Sequence, residues 1–280
     1  MPLMEHIREL RNRILKAVLA VTIGAVIGWY LYRYTWPFIE RPYCRLNVPD
    51  PLNPHLRGGC HLYVNGLFDS LFLRLKIAIA TGVIISAPIW LFQIWAFIAP
   101  GLHSRERRWS YFFAAAAVPL FASGGTIAYF AMTKGLRFLI ALVPKGVVPL
   151  ITIQTYLGYA MAMLLIFALA FELPLVMVLL NLAGVLTHRR FARWRRMIIF
   201  CVFAFAAVAT PSPDPISMLL LAVPCVVLVE LAEIFAWAND RRKARRGPVY
   251  TGLTPEEVAE YGLDEPLPAG DALDDIEAGR

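Results

Sequence analysis

The sequence predicts an all-α integral membrane protein with six transmembrane helices and both termini on the cytoplasmic side. Three observations lead there. The 280 residues are 59% hydrophobic and only 17% charged, against roughly 45–50% apolar and about 25% charged for soluble domains. Apolar windows recur along the chain, most near the roughly 20 residues that a helix needs to span a bilayer. The basic residues gather in short segments that such a topology places on one face.

Met1–Arg13 is charged, with Leu3, Ile7, Leu10 and Ile14 at helical spacing, and reads as an amphipathic surface helix leading into the first span. Span 1 runs from Ile14 to about Tyr34 and ends in an aromatic belt of Trp29, Tyr30, Tyr32, Tyr34 and Trp36. Pro37 to about Asp69 holds five prolines and reads as a long outer loop. Span 2 covers Ile77–Phe97. The stretch Pro100–Trp109 follows as a charged loop, with Glu106 among Arg105, Arg107 and Arg108.

Span 3 runs from Tyr111 to about Met132, with an apolar run at Leu136–Val143 that can extend it. Span 4, Tyr156–Leu182, is interrupted by Glu172 and Pro174. Gly184–Arg196 is a basic loop with five arginines. Span 5 is Met197–Ala209 and span 6 is Ile216–Ala238, joined by the turn Thr210–Pro215. Span 5 has 13 residues, about 20 Å against a hydrocarbon core of roughly 30 Å. Local bilayer thinning, a shallow hairpin, or extension through Trp194 and Thr210 would each accommodate it. Residues 1–240 form the membrane domain, and 241–280 form a basic, then acidic tail expected to be disordered.

Before Gly247 there are 26 basic and 11 acidic residues, a balance of +15, and 17 of those bases fall in four inner segments. The positive-inside rule therefore sets the orientation. Because the bases flank apolar helices, no nucleic-acid partner is expected. Span 1 is long and no small-residue cleavage site follows it, so no cleavable signal peptide is expected.

Catalysis is not expected. His6, His55, His61, His103 and His188 all lie outside the spans, so an intramembrane serine–histidine site would lack its base. Phosphate-binding glycine loops, HExxH and Cys-x-x-Cys are absent from the sequence, and no cofactor or metal is expected.

The residues that invite a function are acids. Glu172 sits in mid-span, where an ionised carboxylate costs at least about 2.5 kcal/mol. It reads either as lining a substrate path or proton relay, or as a protonated, hydrogen-bonded structural group. Glu230 and Glu233 lie near the inner end of span 6, and Arg241 is out of i+4 reach of Glu230, so interfacial solvation competes with a specific role. Glu9 and Glu106 each sit within arginine-rich inner segments. They read either as ordinary surface ion pairs or as two carboxylates on one face, able to take guanidinium groups bidentately.

Cys44 and Cys60 share the outer loop. A disulfide is the leading reading, with a metal site through His55 and His61 as the alternative. Cys201 and Cys225 read as core thiols. Pro88, Pro119, Pro174 and Pro224 fall inside spans 2, 3, 4 and 6, and helices bent around a common side make a concavity.

Four separated motifs occur in order: HIRELRNR at 6–13, SAPIWLFQIWAFIAPGLHSRERR at 86–108, FELP at 171–174 and TPSPDPISMLLLAVP at 210–224, with Glu230 beyond. On these residues the chain resembles TatC, the multi-spanning core subunit of the twin-arginine protein translocase. The resemblance extends to about residue 240. It implies a prokaryotic cell-membrane location, a glove-like concave bundle, and short fifth and sixth helices.

It also implies binding of folded preproteins through signal peptides that carry two adjacent arginines, with Glu9 and Glu106 as the site and Arg11, Phe97 and Pro100 at neighbouring positions. Glu172 falls on the family's intramembrane acid. The implied partners are single-span TatA- and TatB-like subunits docking near Pro211, Asp214 and Met218, together with further copies of the chain and membrane lipid. The implied energy source is the proton gradient. Two departures stand out: Met218 replaces the glutamine of many relatives, so an apolar contact is expected there, and the Cys44/Cys60 pair is not general in the family. The competing readings are a proton-coupled secondary transporter using Glu172 as its ion site, and a passive assembly scaffold.

Overall fold

The computed structural model describes residues 2–46, 62–102, 107–144, 147, 149–182, 184, 186–212 and 214–245. Among these the protein is all-helical: α1 (Pro2–Cys44), α2 (Asp69–Ile85), α3 (Ala87–Leu102), α4 (Arg107–Ala141), α5 (Ile153–Ala170), α6 (Leu173–Leu182), α7 (His188–Ala209) and α8 (Pro215–Arg245).

The amphipathic lead-in, span 1 and the start of the expected outer loop are one helix. α1 has 43 residues, about 65 Å at 1.5 Å each, and it runs through Pro37 and Pro42. A proline removes one donor but does not have to end a helix whose exposed carbonyls find other partners. Pro37 and Pro42 free only the carbonyls of Arg33 and Phe38. The helix around them is held by the Thr35 hydroxyl on the carbonyls of Leu31 and Tyr32 and by the Tyr156 hydroxyl, which donates to the carbonyl of Ile39.

α1 packs on α2 through small residues. A Cβ on Gly24 would lie 2.7 Å from the Gly82 carbonyl oxygen, and one on Gly28 would lie 2.5 Å from that of Ala78. Gly24-x-x-x-Gly28 therefore faces Ala78-x-x-x-Gly82, the small-residue spacing that lets membrane helices approach at backbone contact. The register runs antiparallel, Gly24 to Gly82 and Gly28 to Ala78. The end of α3 is thereby directed to the same end of the bundle as the start of α1.

Span 2 is broken: α2 and α3 meet at 57° around Ser86. Pro88 cannot supply the N–H that the Ile84 carbonyl would take. The local carbonyls find other donors, with the Ser86 hydroxyl on Gly82 at 2.7 Å and the Trp90 indole on Val83 at 2.9 Å. The expected loop at Pro100–Gly101 is still helix, since α3 continues to Leu102. The extension of span 3 is present, and α4 reaches Ala141. The break in span 4 falls where Glu172 and Pro174 stand, between α5 and α6.

The expected basic loop is mostly helix. Arg189 to Arg196 form the first turns of α7, and the chain turns just before them at Gly184, whose φ is +78°, a value glycine adopts without strain. α8 carries five residues into the expected tail, and residues 246–280 lie outside the described residues. Among the described residues four stretches are long and apolar enough to cross a membrane, and the bent α2–α3 pair, taken as one span, makes a fifth. α7 is not among them.

The core gathers on α5, with Tyr156, Leu157, Met163 and Phe167 buried against Ile77, Met132 and Leu221. A second cluster joins α3, α4 and α6 through Leu91, Trp95, Phe113 and Leu175. Val18, Leu19, Phe130, Phe200 and Val208 are exposed, an arrangement suited to lipid rather than water.

At the end of the bundle where α2 and α5 begin, the segment before α2 is pinned to the helices. Tyr63 and Thr152 form a parallel bridge. Asp69 accepts the backbone N–H groups of Asn65 and Gly66, and Lys76 donates to Gln154 at 2.8 Å. Cys44 is disulfide-bonded, whereas Cys201 and Cys225 are free thiols. Cys60, His55 and His61 lie outside the described residues.

Candidate functional site

Glu9 lies two turns into α1 and is exposed. The Arg13 guanidinium donates to its Oε1 at 3.0 Å from Nε and 2.6 Å from the terminal nitrogen. This i,i+4 pair costs little to break, because its side chains remain 22% and 44% accessible. Arg11, also exposed, stands beside it. Phe97 is half-buried near the end of α3, and Pro100 lies within that helix. The antiparallel register brings these two helix ends to one end of the bundle. Glu106 lies outside the described residues.

Glu172 occupies the break between α5 and α6. It is 8% exposed, and neither carboxyl oxygen makes a hydrogen bond. The indole of Trp95 on α3 faces it without reaching hydrogen-bond geometry, and Trp95 stacks in turn on Phe113 at 5.3 Å. α3 thus connects the helix end near Glu9 with the membrane-embedded acid.

The three residues expected to meet partner subunits do not form one surface. Asp214 is 2% exposed and caps α8. Its Oδ1 accepts the Ser217 N–H at 2.6 Å, its other oxygen pairs with the Ser212 hydroxyl, and Pro215 occupies the first helical position, where a missing N–H costs nothing. The backbone of Gly135 presses on this knot. A Cβ there would lie 2.5 Å from Ser217 Oγ, 2.8 Å from Tyr159 Oη and 3.0 Å from Asp214 Oδ2. Pro211 is exposed and Met218 is half-buried.

Glu230 is held across helices. Arg195 of α7 grips it bidentately, Nε to Oε1 at 2.8 Å and Nη2 to Oε2, and reaches Glu233 at 3.8 Å. Arg241 instead lies over the Trp237 ring at 5.3 Å. A second tie closes the same end. Asp240 accepts from the backbone N–H of His188 at 2.7 Å and from Asn181 at 3.1 Å, and Asn239 donates to Asn181 at 2.9 Å. Arg195, Asn181 and Asp240 were missed from sequence because their partners are 35 to 59 positions away.

An apolar groove of about 590 Å³ lies behind the α2–α3 bend, lined by Phe38, Ile84, Pro88, Phe121, Tyr129 and Met161. Among the described residues no group of three histidines, cysteines or acids could hold a metal.

This arrangement is matched by known proteins. Residues 5–224 fit the family model of the Sec-independent protein translocase protein (TatC). The chain belongs to the TatC family. The TatC protein of Frankia casuarinae is 44% identical over 97% of this chain and 76% of its own length. That of Corynebacterium kroppenstedtii is 35% identical over 98% and 71%, and that of Aquifex aeolicus is 31% identical over 87% and 98%. A crystal structure of the twin arginine translocase receptor TatC in DDM superposes with a TM-score of 0.68 at 29% identity, covering 82% of this chain and 99% of that one. The TatC family is a protein-translocase family, so the small-solute transporter reading is not favoured.

Proposed function

We propose that this TatC-family chain is the signal-peptide receptor of a twin-arginine translocase in a bacterial inner membrane. It would span six times with both termini cytoplasmic, α7 being the short fifth span. The observation that supports this is the antiparallel register of α1 and α2, which puts the start of α1, with Glu9, and the end of α3, beyond which the sequence continues to Glu106, at one end of the bundle. Two adjacent guanidinium groups are then taken by two carboxylates. The Glu9–Arg13 pair supports this, because an exposed intrahelical pair can be exchanged for an incoming arginine at little cost. Arg11, Phe97 and Pro100 border the site. The apolar part of the signal peptide follows α3 toward Glu172, whose unpartnered carboxyl awaits a polar group.

Single-span TatA- and TatB-like subunits would dock on the α7–α8 hairpin, through Pro211 and Met218, with Asp214 holding the turn in shape. Further copies of the chain complete the assembly, and the proton gradient supplies the energy. We assign residues 1–240 to the membrane domain and the remainder to a cytoplasmic tail. Cys44 pairs with Cys60 in this reading, since the other two cysteines are free thiols. The test is binding of a twin-arginine signal peptide to the Glu9→Gln, Glu106→Gln double variant, where parent-level binding would refute the site.

A further inference from the structure

α7 concentrates positive charge where its own helix disfavours it. Arg189, Arg190, Arg193, Arg195 and Arg196 all fall in its first nine residues, and its first turn contains no acid. The N-terminal end of a helix is already the positive end of its dipole. Within the chain, Asp240 takes the His188 N–H and Arg195 is spent on Glu230 and Glu233.

The remaining geometry sorts the side chains by face. Phe191, Val202 and Ala206 are buried. Arg193, Arg196 and Phe200 follow one another at spacings of three and four, so they share a face, and all are exposed, Phe200 at 70%. Trp194, 57% exposed, and Met197 form the adjoining ridge. One outward surface therefore changes from guanidinium to apolar within about 6 Å, the rise of four residues. An inorganic anion would satisfy its upper half alone. An acidic protein segment would leave Met197 and Phe200 in the bilayer without a role. A phospholipid satisfies both halves.

We propose that the outward face of α7 is a binding site for an anionic phospholipid of the cytoplasmic leaflet. Arg193 and Arg196 hold the phosphate, Trp194 sits at headgroup depth, and the acyl chains lie along Met197 and Phe200. The proposal rests on α7 being an embedded short span. Its 13-residue apolar run draws the arginines toward the headgroups, and a bound anionic lipid offsets the charge that the helix start concentrates.

The test uses the full chain in detergent micelles, following thermal unfolding while phosphatidylglycerol, phosphatidylcholine or inorganic phosphate is added. Phosphatidylglycerol raises the parent's melting temperature, and the Arg193→Gln, Arg196→Gln variant needs about tenfold more lipid for the same shift. The Arg193→Lys, Arg196→Lys variant keeps most of the response, and the other two additives give none. Equal dependence on phosphatidylglycerol in parent and glutamine variant would overturn the site. So would a shift produced by phosphate alone, which marks a simple anion site.

If the glutamine variant does not fold, brominated lipids read the same site through Trp194. The quenching lost in Trp194→Phe is at least twofold greater with brominated phosphatidylglycerol than with brominated phosphatidylcholine. Equal losses would overturn the specificity. No loss with either lipid would overturn the embedding of α7 as well. Glu9→Gln leaves every lipid response unchanged, which separates this site from the receptor reading.

Discussion

The two ends of the chain are held together by different physics. α1 and α2 meet backbone to backbone, with Gly24, Gly28, Ala78 and Gly82 leaving no room for a side chain between them. α7 and α8 are joined by side chains that reach: Arg195 to Glu230, Asp240 to His188 and Asn181, and Asp214 over its own helix start. A close-packed seam has no alternative arrangement of similar energy, whereas polar ties can exchange partners. The first suits a platform that presents Glu9 and the end of α3 in fixed relation. The second suits a hairpin that changes neighbours as subunits arrive.

The sharpest way to break this contrast is at the seam. Gly82→Leu places a side chain where even a Cβ would lie 2.4 Å from the Ala25 backbone nitrogen. A loss of about 3 kcal/mol or more is expected, read as a large drop in melting temperature or failure to recover folded protein from the membrane. A tolerated Gly82→Leu would show that the seam yields.

The hairpin is expected to respond less, and in graded steps. Asp214→Ala removes the cap of α8 and leaves Ser212 and Ser217 without their acceptor, a loss of about 2 kcal/mol. Asp214→Asn retains the cap oxygen and recovers most of it by the same melting measurement. The smallest effect is expected from Glu230→Gln. Arg195 stands in solvent on the other side of this pair, so the change in melting temperature is slight and disappears at high salt. A Glu230→Gln effect that matched Asp214→Ala and persisted in salt would mean that the clamp is a structural joint rather than an exchangeable tie.

Four spans and the bent α2–α3 pair were legible in the sequence because hydropathy is a property of single windows. The breaks at Ser86–Pro88 and Glu172–Pro174 were legible too, since proline acts on its own neighbours. Pro37, Pro42 and Pro100 read as loop yet stand inside helices, because a proline removes a single N–H and packing against neighbouring helices can hold the rest of the backbone. One such hold, the Tyr156 hydroxyl on the Ile39 carbonyl, comes from more than a hundred positions away. The glycine seam and the Arg195–Glu230 clamp depend on which helices are neighbours, and a single chain read in order does not contain that information. The acids of the candidate site were visible as acids in basic surroundings. The proposal that Glu9 and Glu106 act together rests on the motif resemblance and on the antiparallel register of α1 and α2, Glu106 itself lying outside the described residues.

The most direct measurement is the affinity of a twin-arginine signal peptide, and of its twin-lysine counterpart, for the parent and for the Glu9→Gln, Glu106→Gln variant. Two lost charge-assisted contacts are expected to weaken twin-arginine binding by at least about tenfold. The preference of arginine over lysine should fall with it, since lysine cannot bind a carboxylate bidentately. Equal affinity of parent and variant for the twin-arginine peptide, with the arginine preference intact, would contradict a receptor built on Glu9 and Glu106.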